Sequence, residues 1–290
     1  MKSSEKFIQK LIFLCGAVSV ITVVLITVFI FISGFPAIKR IGIIDFVFGT
    51  NWSPTNGDFG ILPLIAGTLG VTLGALLIGI PTGVSCAVLL AEMLGKKRAS
   101  LFKRGIEILA GIPSVVYGFF GVAIIVPAVR QIGYIVAPDK GAPGLSLLAG
   151  SIILAIMILP TIVSLSENAI SSVPKEYKEA SLALGANKAE TIVKVTLPAA
   201  KSGIFSSIIL GMGRAIGETM AVLLITGNVA QIPTSPLDPV STLTGTIAME
   251  MSYASPSHQQ ALFAIGIVLF IVIVILNAVA QKLMTSFGGK

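Results

Sequence analysis

Residues 175–227, KEYKEASLALGANKAETIVKVTLPAAKSGIFSSIILGMGRAIGETMAVLLITG, decide the fold of this chain. A polar connection runs to Leu197-Pro198, and an apolar helix with Arg214 and Glu218 in its middle follows it. An arginine at bilayer depth costs roughly 2.5 to 3.5 kcal/mol on the mildest insertion scale, so it persists only with a partner or a function. This stretch therefore predicts a polar segment outside the membrane joined to an ionisable pair inside it.

The composition of the rest of the chain agrees with a membrane protein. Of its 290 residues, 54% are hydrophobic and 11% are charged, which is too apolar for a soluble domain of this length. A helix needs roughly 20 apolar residues to cross a hydrocarbon core of about 30 Å. Six stretches qualify: about 11–33, 62–91, 107–129, 145–168, 204–227 and 259–282. We therefore predict an all-α membrane protein with six transmembrane helices.

The distribution of lysine and arginine predicts the orientation. The first apolar stretch is longer than the 7 to 15 residues of a signal-peptide core, so we interpret it as a retained anchor. If the amino terminus is cytoplasmic, fifteen basic residues lie on the inner side and four lie outside: Lys39, Arg40, Arg130 and Lys140. Both termini are thus predicted in the cytoplasm. The net charge of +7 then reflects topology, and no nucleic-acid partner is expected.

Two sequence patterns predict local breaks or contacts in the helices. Gly70 and Gly74 lie four residues apart, which allows close helix packing, although nearby threonine hydroxyls could instead line a path.

Pro113, in Gly-Ile-Pro-Ser before Tyr117, predicts a kink in the third helix. Such a break is tolerated in a membrane where protein or water satisfies the freed groups. A bend facing a cavity and an ordinary packing kink remain alternatives.

The connection 171–201 is expected to be structured and cytoplasmic. Pro174 precedes a short helical run that Gly185 ends. A second run, about 188–195, stops before Pro198 because a residue ahead of proline avoids helical angles. We predict two short helices around a glycine turn.

The chain lacks the residue sets of the common enzyme classes. No Gly-Lys-Ser or Gly-Lys-Thr phosphate loop occurs, so ATP would have to be hydrolysed by a separate protein. His258 is the single histidine and lies in a predicted outer loop, while Cys15 and Cys86 fall inside predicted helices. We therefore expect no catalytic residue, no metal site and no cofactor.

Arg214 and Glu218 have two alternative interpretations. Four residues apart on one predicted helix, they share a face and can form an ion pair about 16 Å deep, if the helix begins near Gly203. The pair could simply fix helix packing. Alternatively, the Arg214 guanidinium binds an oxyanion, and Glu218 holds it while the site is empty. Repulsion from Glu218 would keep that contact transient, as transit requires.

In these residues the chain resembles type I ABC importer permeases of the MetI-like fold. Such permeases carry a cytoplasmic Glu-Ala-Ala-x3-Gly-x9-Ile-x-Leu-Pro loop. Its counterpart here, with Ser181 for alanine and Val195 for isoleucine, consists of Glu179, Ala180, Ser181, Gly185, Val195, Leu197 and Pro198. The resemblance implies that these residues couple the chain to an ATPase.

More narrowly, the chain resembles the PstC-type permease of phosphate importers. The similar segments are Trp52-Ser53-Pro54, 59–68, 107–118 and Gly213-Arg214-Ala215-Ile216-Gly217-Glu218-Thr219-Met220-Ala221. This resemblance implies phosphate transport by alternating access across the bacterial inner membrane. The implied partners are a PstA-like permease, two copies of a PstB-like ATPase and a PstS-like phosphate-binding protein. The implied substrate path contains Arg214, Glu218, Thr219, Ser114 and Tyr117.

On this basis we expect a division into residues 1–61, an N-terminal transmembrane helix with an outer loop, and residues 62–290, a permease core of five helices with the coupling loop 171–201. The alternatives are a permease for sulfate or molybdate, an ion-coupled secondary transporter and a purely structural subunit. The sequence shows no clear inverted repeat of the kind that many secondary transporters have.

Overall fold

The computed structural model describes residues 2–136 and 143–288 of the chain. Within these ranges six helical spans are long and apolar enough to cross a membrane: Phe7–Ile41, Leu62–Met93, Ser114–Val136, Leu147–Ser171, Lys188–Gly217 and Pro256–Lys282. The predicted number of transmembrane helices is confirmed. Lys140 and Lys290, which the sequence assigned to opposite sides of the membrane, lie outside the described residues.

The helices and strands of the described residues are as follows. The α-helices are α1 (Lys2–Ile41), α2 (Ile43–Phe48), α3 (Leu62–Val88), α4 (Lys96–Gly111), α5 (Ser114–Phe120), α6 (Val126–Val136), α7 (Leu147–Ser171), α8 (Lys175–Ala183), α9 (Lys188–Thr191), α10 (Leu197–Gly217), α11 (Met220–Ile225), α12 (Leu243–Glu250) and α13 (Pro256–Gly288). Single π-helical turns occupy Leu89–Met93, Gly121–Ile125 and Ile192–Thr196. A short hairpin pairs β1 (Trp52–Ser53) with antiparallel β2 (Asp58–Phe59).

Helix α7 is the centre of the bundle and packs against both α3 and α10. Small residues allow these helices to approach closely. A Cβ placed on Gly74 would lie 2.2 Å from Ser151 Oγ, and one on Gly203 would lie 2.4 Å from the Ala169 Cβ. The packing interpretation of Gly70 and Gly74 is therefore correct, because in a lipid environment close backbone contact, rather than a hydrophobic force between helices, drives association.

The first span packs along the last one. The rings of Phe29 and Phe263 meet edge to face at 5.5 Å, and a Cβ on Gly34 would lie 2.7 Å from the backbone of Ala264. Between Phe7 and Phe35 most of the large apolar side chains of α1 are exposed, as expected of a helix in contact with lipid.

The third span begins at Ser114, seven residues after the predicted start at 107, because the backbone is extended at Ile112 and Pro113. The proline ends α4 at Gly111 instead of kinking a continuous helix. The Tyr117 hydroxyl bridges the break by donating a hydrogen bond to the Leu109 carbonyl at 2.8 Å.

At the end of the bundle remote from α8, a buried polar cluster joins the hairpin to the last two helices. Glu250 accepts hydrogen bonds from the Trp52 indole at 3.2 Å, and its Oε2 lies 2.7 Å from His258 Nε2. The sequence placed His258 in a loop, but it lies in the first turn of α13 and is only 7% exposed. The prediction failed because polar residues at a helix start resemble a loop in sequence.

Candidate functional site

The fifth span is broken in its second half, where the sequence predicted one continuous helix. Helix α10 ends at Gly217, the backbone of Glu218 is extended, and α11 begins at Met220. A helix break inside a membrane occurs where protein or a water-filled cavity satisfies the backbone. In transporters, such discontinuous helices commonly form the substrate site.

Specific hydrogen bonds stabilise this break. A carboxylate oxygen of Glu218 accepts a bond from the Ala221 backbone N–H at 3.2 Å, so the side chain caps the start of α11. The Glu218 carbonyl accepts a bond from the Thr244 hydroxyl of α12 at 2.9 Å. Thr219 donates its hydroxyl hydrogen to the Gly217 carbonyl at 3.3 Å. The break is therefore a fixed feature, in which no proline takes part.

Arg214 lies in the last turn of α10, close to the middle of the bundle. Ser207 bonds to Ser166 of α7 at 2.8 Å, and a Cβ on Gly211 would contact Ile162, so the two helices run antiparallel. Arg214 lies three residues beyond Gly211, so the same antiparallel pairing places it beside the middle of α7. A helix rises about 1.5 Å per residue, so this level is about 18 Å from either end of α7, which agrees with the mid-membrane depth that the sequence predicted for Arg214.

The predicted ion pair between Arg214 and Glu218 is not formed in the described residues, where four other pairs occur. The prediction assumed one helix through both positions. The break after Gly217 instead turns Glu218 toward the start of α11, where it acts as a cap. An interpretation in which this pair fixes helix packing is therefore wrong.

Arg214 is exposed on the surface of the single chain, among groups that the sequence assigned to the path. It lies close enough to Tyr117 of α5 for an electrostatic interaction. Helix α5 is pressed against α11, since a Cβ on Gly118 would lie 2.5 Å from Leu224. Ser114 lies one turn before Tyr117 and is half-buried. The structure thus places Tyr117 beside Arg214 and the helix break.

Two glycines keep the surface beside Arg214 open. Among the described residues, a Cβ on either Gly213 or Gly217 would meet nothing within 4 Å beyond its chain neighbours and its own helix backbone. The guanidinium therefore borders a smooth surface that can admit either another helix or a small anion.

The first predicted short helix, α8, forms in the polar connection. Helix α8 is followed by Gly185 in the left-handed region, with φ of +88°, and α9 begins with a capping box formed by Asn187 and Glu190. Glycine adopts such a φ without the strain that a Cβ would cause. The predicted glycine turn is confirmed.

The second predicted short helix does not stop before Pro198. Leu197 is helical, and α9 continues through the π-helical turn Ile192–Thr196 into α10, so Lys188–Gly217 is one helical span. That prediction was wrong because the residue before a proline only disfavours helical angles and a π-helical turn precedes this proline.

Most residues of the loop motif lie on the surface of this connection. Glu179, Ala180, Gly185 and Pro198 are exposed, and Leu197 is half-buried. Ser181, where the family pattern has alanine, shares a 3.0 Å hydroxyl hydrogen bond with Thr191. It therefore joins the two short helices.

Large apolar side chains are exposed on the same connection. Leu184 is 90% exposed, Val193 62% and Tyr177 56%. Apolar groups grouped on a polar surface indicate a binding surface for another protein.

Sequence reasoning missed two contacts that organise these regions. Thr244 supports the break from a helix 26 residues away along the chain, and Lys178 of α8 pairs with Glu92 at the end of the second span. The presence of lysine and glutamate near apolar segments could have indicated an ion pair. It could not have indicated the partners, since the two residues are 86 positions apart.

Comparison with known proteins gives consistent matches. Residues 79–286 match the family model described as the binding-protein-dependent transport system inner membrane component. A probable ABC transporter permease protein, YqgH of Bacillus subtilis, is 38% identical over 89% of this chain and 83% of its own. The phosphate transport system permease protein PstC of Mesorhizobium japonicum is 32% identical over 91% of this chain and 85% of its own.

Solved structures agree on the fold. A chain of the inward-facing MetNI methionine ABC transporter superposes with a TM-score of 0.58 at 18% identity, covering 78% of this chain and 95% of that chain. The six spans, the broken fifth helix and the extent of the family match together identify the architecture. The chain belongs to the family of inner membrane components of binding-protein-dependent transport systems, as a multi-pass ABC importer permease of the MetI-like fold and PstC type.

Proposed function

We propose that this permease carries inorganic phosphate through a path that passes Arg214. The observation that carries the proposal is a guanidinium at the middle of the bundle, beside a helix break, without an ion-pair partner among the described residues. A guanidinium cannot lose its charge and offers planar, paired donors that match a phosphate group. The similarity to PstC proteins of several bacteria supports the choice of phosphate.

The neighbouring groups suit passage better than tight binding. The Glu218 carboxylate sits four positions from Arg214 and places negative charge beside the path. The Tyr117 hydroxyl and the Thr219 hydroxyl are already bonded to backbone carbonyls, so few donors remain for a strong anion site. A transport site must release its substrate as readily as it takes it up.

The energy source in this proposal is a separate ATPase that binds at α8. The exposed apolar residues of the connection 171–201 fit a helix-in-groove contact, with Glu179, Ala180, Ser181, Gly185, Leu197 and Pro198 as coupling residues. The excess of basic residues at this end supports a cytoplasmic location, with both termini on the same side. The full assembly would contain a PstA-like permease, two PstB-like ATPase copies and a PstS-like phosphate-binding protein.

The test is reconstitution of the complex in vesicles. Co-expression with the candidate partner permease, ATPase and binding protein should give uptake of labelled phosphate that requires ATP. Excess sulfate or molybdate should not compete. Inhibition by sulfate would assign the path to a different oxyanion, and uptake without ATP or ATPase would indicate an ion-coupled transporter.

A further inference from the structure

The coupling helix α8 has little apolar packing to hold it in place. None of its residues is buried, and at nine residues it is shorter than the 12 to 15 residues at which isolated helices become even marginally stable in water. A helix that transmits motion must nevertheless move with the body it drives. The contacts that attach α8 to the membrane-spanning helices therefore decide how well it can transmit force.

Two attachments join the start of α8 to the end of the second span. Val173, just ahead of the helix, is 6% exposed and belongs to the same buried apolar cluster as Ala87 and Leu90 of the second span. Within the helix, Lys178 forms an ion pair with Glu92. The two attachments flank Pro174, which fixes the backbone between them.

The Lys178–Glu92 pair is sheltered from solvent. The side chains are 22% and 11% exposed, so water and salt screen the pair much less than an ion pair on the surface. Loss of either partner would leave the other charge partly buried and uncompensated, which costs more than the pair itself contributes. The pair is thus strongly biased to remain formed.

The space next to the Lys178–Glu92 pair is open and is not filled by apolar side chains. A cavity of about 530 Å³ lies next to it, lined by Leu90, Lys103, Glu167 and Lys178 among others. Apolar packing therefore does not fill the space between α8 and the spans. Glu92 itself lies in the π-helical turn Leu89–Met93, and such turns are frequent at functional positions because they alter the local direction of a helix.

The second span leads from this pair to the candidate substrate path. Helix α3, which continues into the π-helical turn, contacts both α7 and α10, and α10 carries Arg214. A displacement of α8 passed to Glu92 therefore reaches the helices that form the path.

We propose that Lys178 and Glu92 are positioning residues that lock α8 to the end of the second span, so that movement of the ATPase is transmitted to the path. The proposal rests on the proposed function in one respect, namely that α8 is the ATPase contact. It adds a specific residue pair outside the loop motif. Without the pair, α8 would keep its contact with α9 through Ser181 and Thr191 but would lose its charged link to the second span, so that less of the ATP hydrolysis would drive transport.

The test measures transport relative to ATP hydrolysis in the reconstituted complex. Glu92→Gln should leave the ATPase bound but lower the ratio of phosphate carried to ATP hydrolysed by about fivefold or more, the low end of usual coupling between sites. Stimulation of ATP hydrolysis by the binding protein should fall in parallel. The charge-swapped double variant Glu92→Lys/Lys178→Glu should recover most of both quantities, because it restores the pair in reverse.

A matched control uses the second ion pair that lines the same cavity. Lys103 Nζ and Glu167 Oε2 lie 2.6 Å apart, and this pair joins α4 to α7, whereas the Lys178–Glu92 pair joins α8 to the second span. Lys103→Met should leave the transport ratio unchanged. Two results would overturn the specific role of the Lys178–Glu92 pair. One is an equal fall in phosphate carried per ATP hydrolysed in Lys103→Met, and the other is a wild-type value of this ratio in Glu92→Gln.

If Glu92→Gln does not assemble with the ATPase, the charge swap decides the matter. If Glu92→Lys/Lys178→Glu assembles with the ATPase again, the result supports the proposal that this pair holds α8 to the second span. If the double variant assembles no better than Glu92→Gln, the result contradicts the proposal. These outcomes are distinct from failure of the proposed function, in which the wild-type complex would carry no phosphate although the binding protein still stimulates ATP hydrolysis.

Discussion

Replacement of Arg214 by glutamine separates a transport role from a structural one. The guanidinium can donate two parallel hydrogen bonds to a phosphate, and each bond to a charged group contributes about 1.5 to 3 kcal/mol. Glutamine can keep at most one neutral bond. A loss of about 3 kcal/mol corresponds to a decrease of roughly 150-fold in the rate of phosphate uptake at low substrate concentration.

The same substitution should hardly affect folding. Arg214 is exposed on the single chain and forms none of the ion pairs of the described residues. Surface substitutions of this kind usually change stability by no more than about 0.5 kcal/mol. The Arg214→Gln complex should therefore assemble in normal yield and unfold at the wild-type temperature.

The assay compares uptake of labelled phosphate by vesicles that contain equal amounts of assembled complex. Arg214→Lys keeps the positive charge but loses the paired donors of the guanidinium, so its uptake should lie between that of the wild type and that of Arg214→Gln. Arg130→Gln is the matched control, because Arg130 is exposed at the end of the third span and donates to the Pro143 carbonyl at 3.0 and 3.1 Å. Wild-type uptake in Arg214→Gln would refute the reasoning, and failure to assemble would indicate a structural role.

The other predictions concern the coupling segment, the path and the packing. Gly185→Pro should release the ATPase while the helices still insert, because proline cannot adopt a φ of +88°; normal co-purification and uptake would contradict it. Glu218→Gln should reduce the maximal uptake rate several-fold with normal assembly, because a bound anion would leave more slowly; wild-type uptake would remove Glu218 from the path. Gly203→Val should destabilise the protein by about 1 to 3 kcal/mol in thermal unfolding, since its Cβ would overlap Ala169, whereas Gly16→Val, with open space around it, should not.

The sequence predicts the number of spans well, because the requirement for about 20 apolar residues in a row is local. It also predicts the turn at Gly185, where a single residue type relieves backbone strain. The start of the third span was wrong by seven residues. There Pro113 ends one helix, and the next begins after it, which hydropathy alone does not distinguish from a kink.

The break in the fifth span could not be read from local sequence. Gly-Glu-Thr is compatible with a helix, and the decisive contacts come from the Glu218 side chain and from Thr244 in a later helix. The Lys178–Glu92 pair is likewise a tertiary contact. Arg214 was identified correctly as a residue at mid-bundle depth, but its partner was assigned on the assumption of an unbroken helix.

Side-specific labelling of Gly213→Cys tests the central claim most directly. Gly213 adjoins Arg214, and within the described part of the chain a Cβ there has open space beyond its neighbours and its own helix backbone. The variant is made with Cys15→Ser and Cys86→Ser and treated with a membrane-impermeant thiol reagent. The account predicts labelling from the α8 side in the absence of nucleotide and from the opposite side when the ATPase is trapped with ATP and vanadate. Labelling from the same side in both states, or none in either, would contradict a path that opens alternately at Arg214.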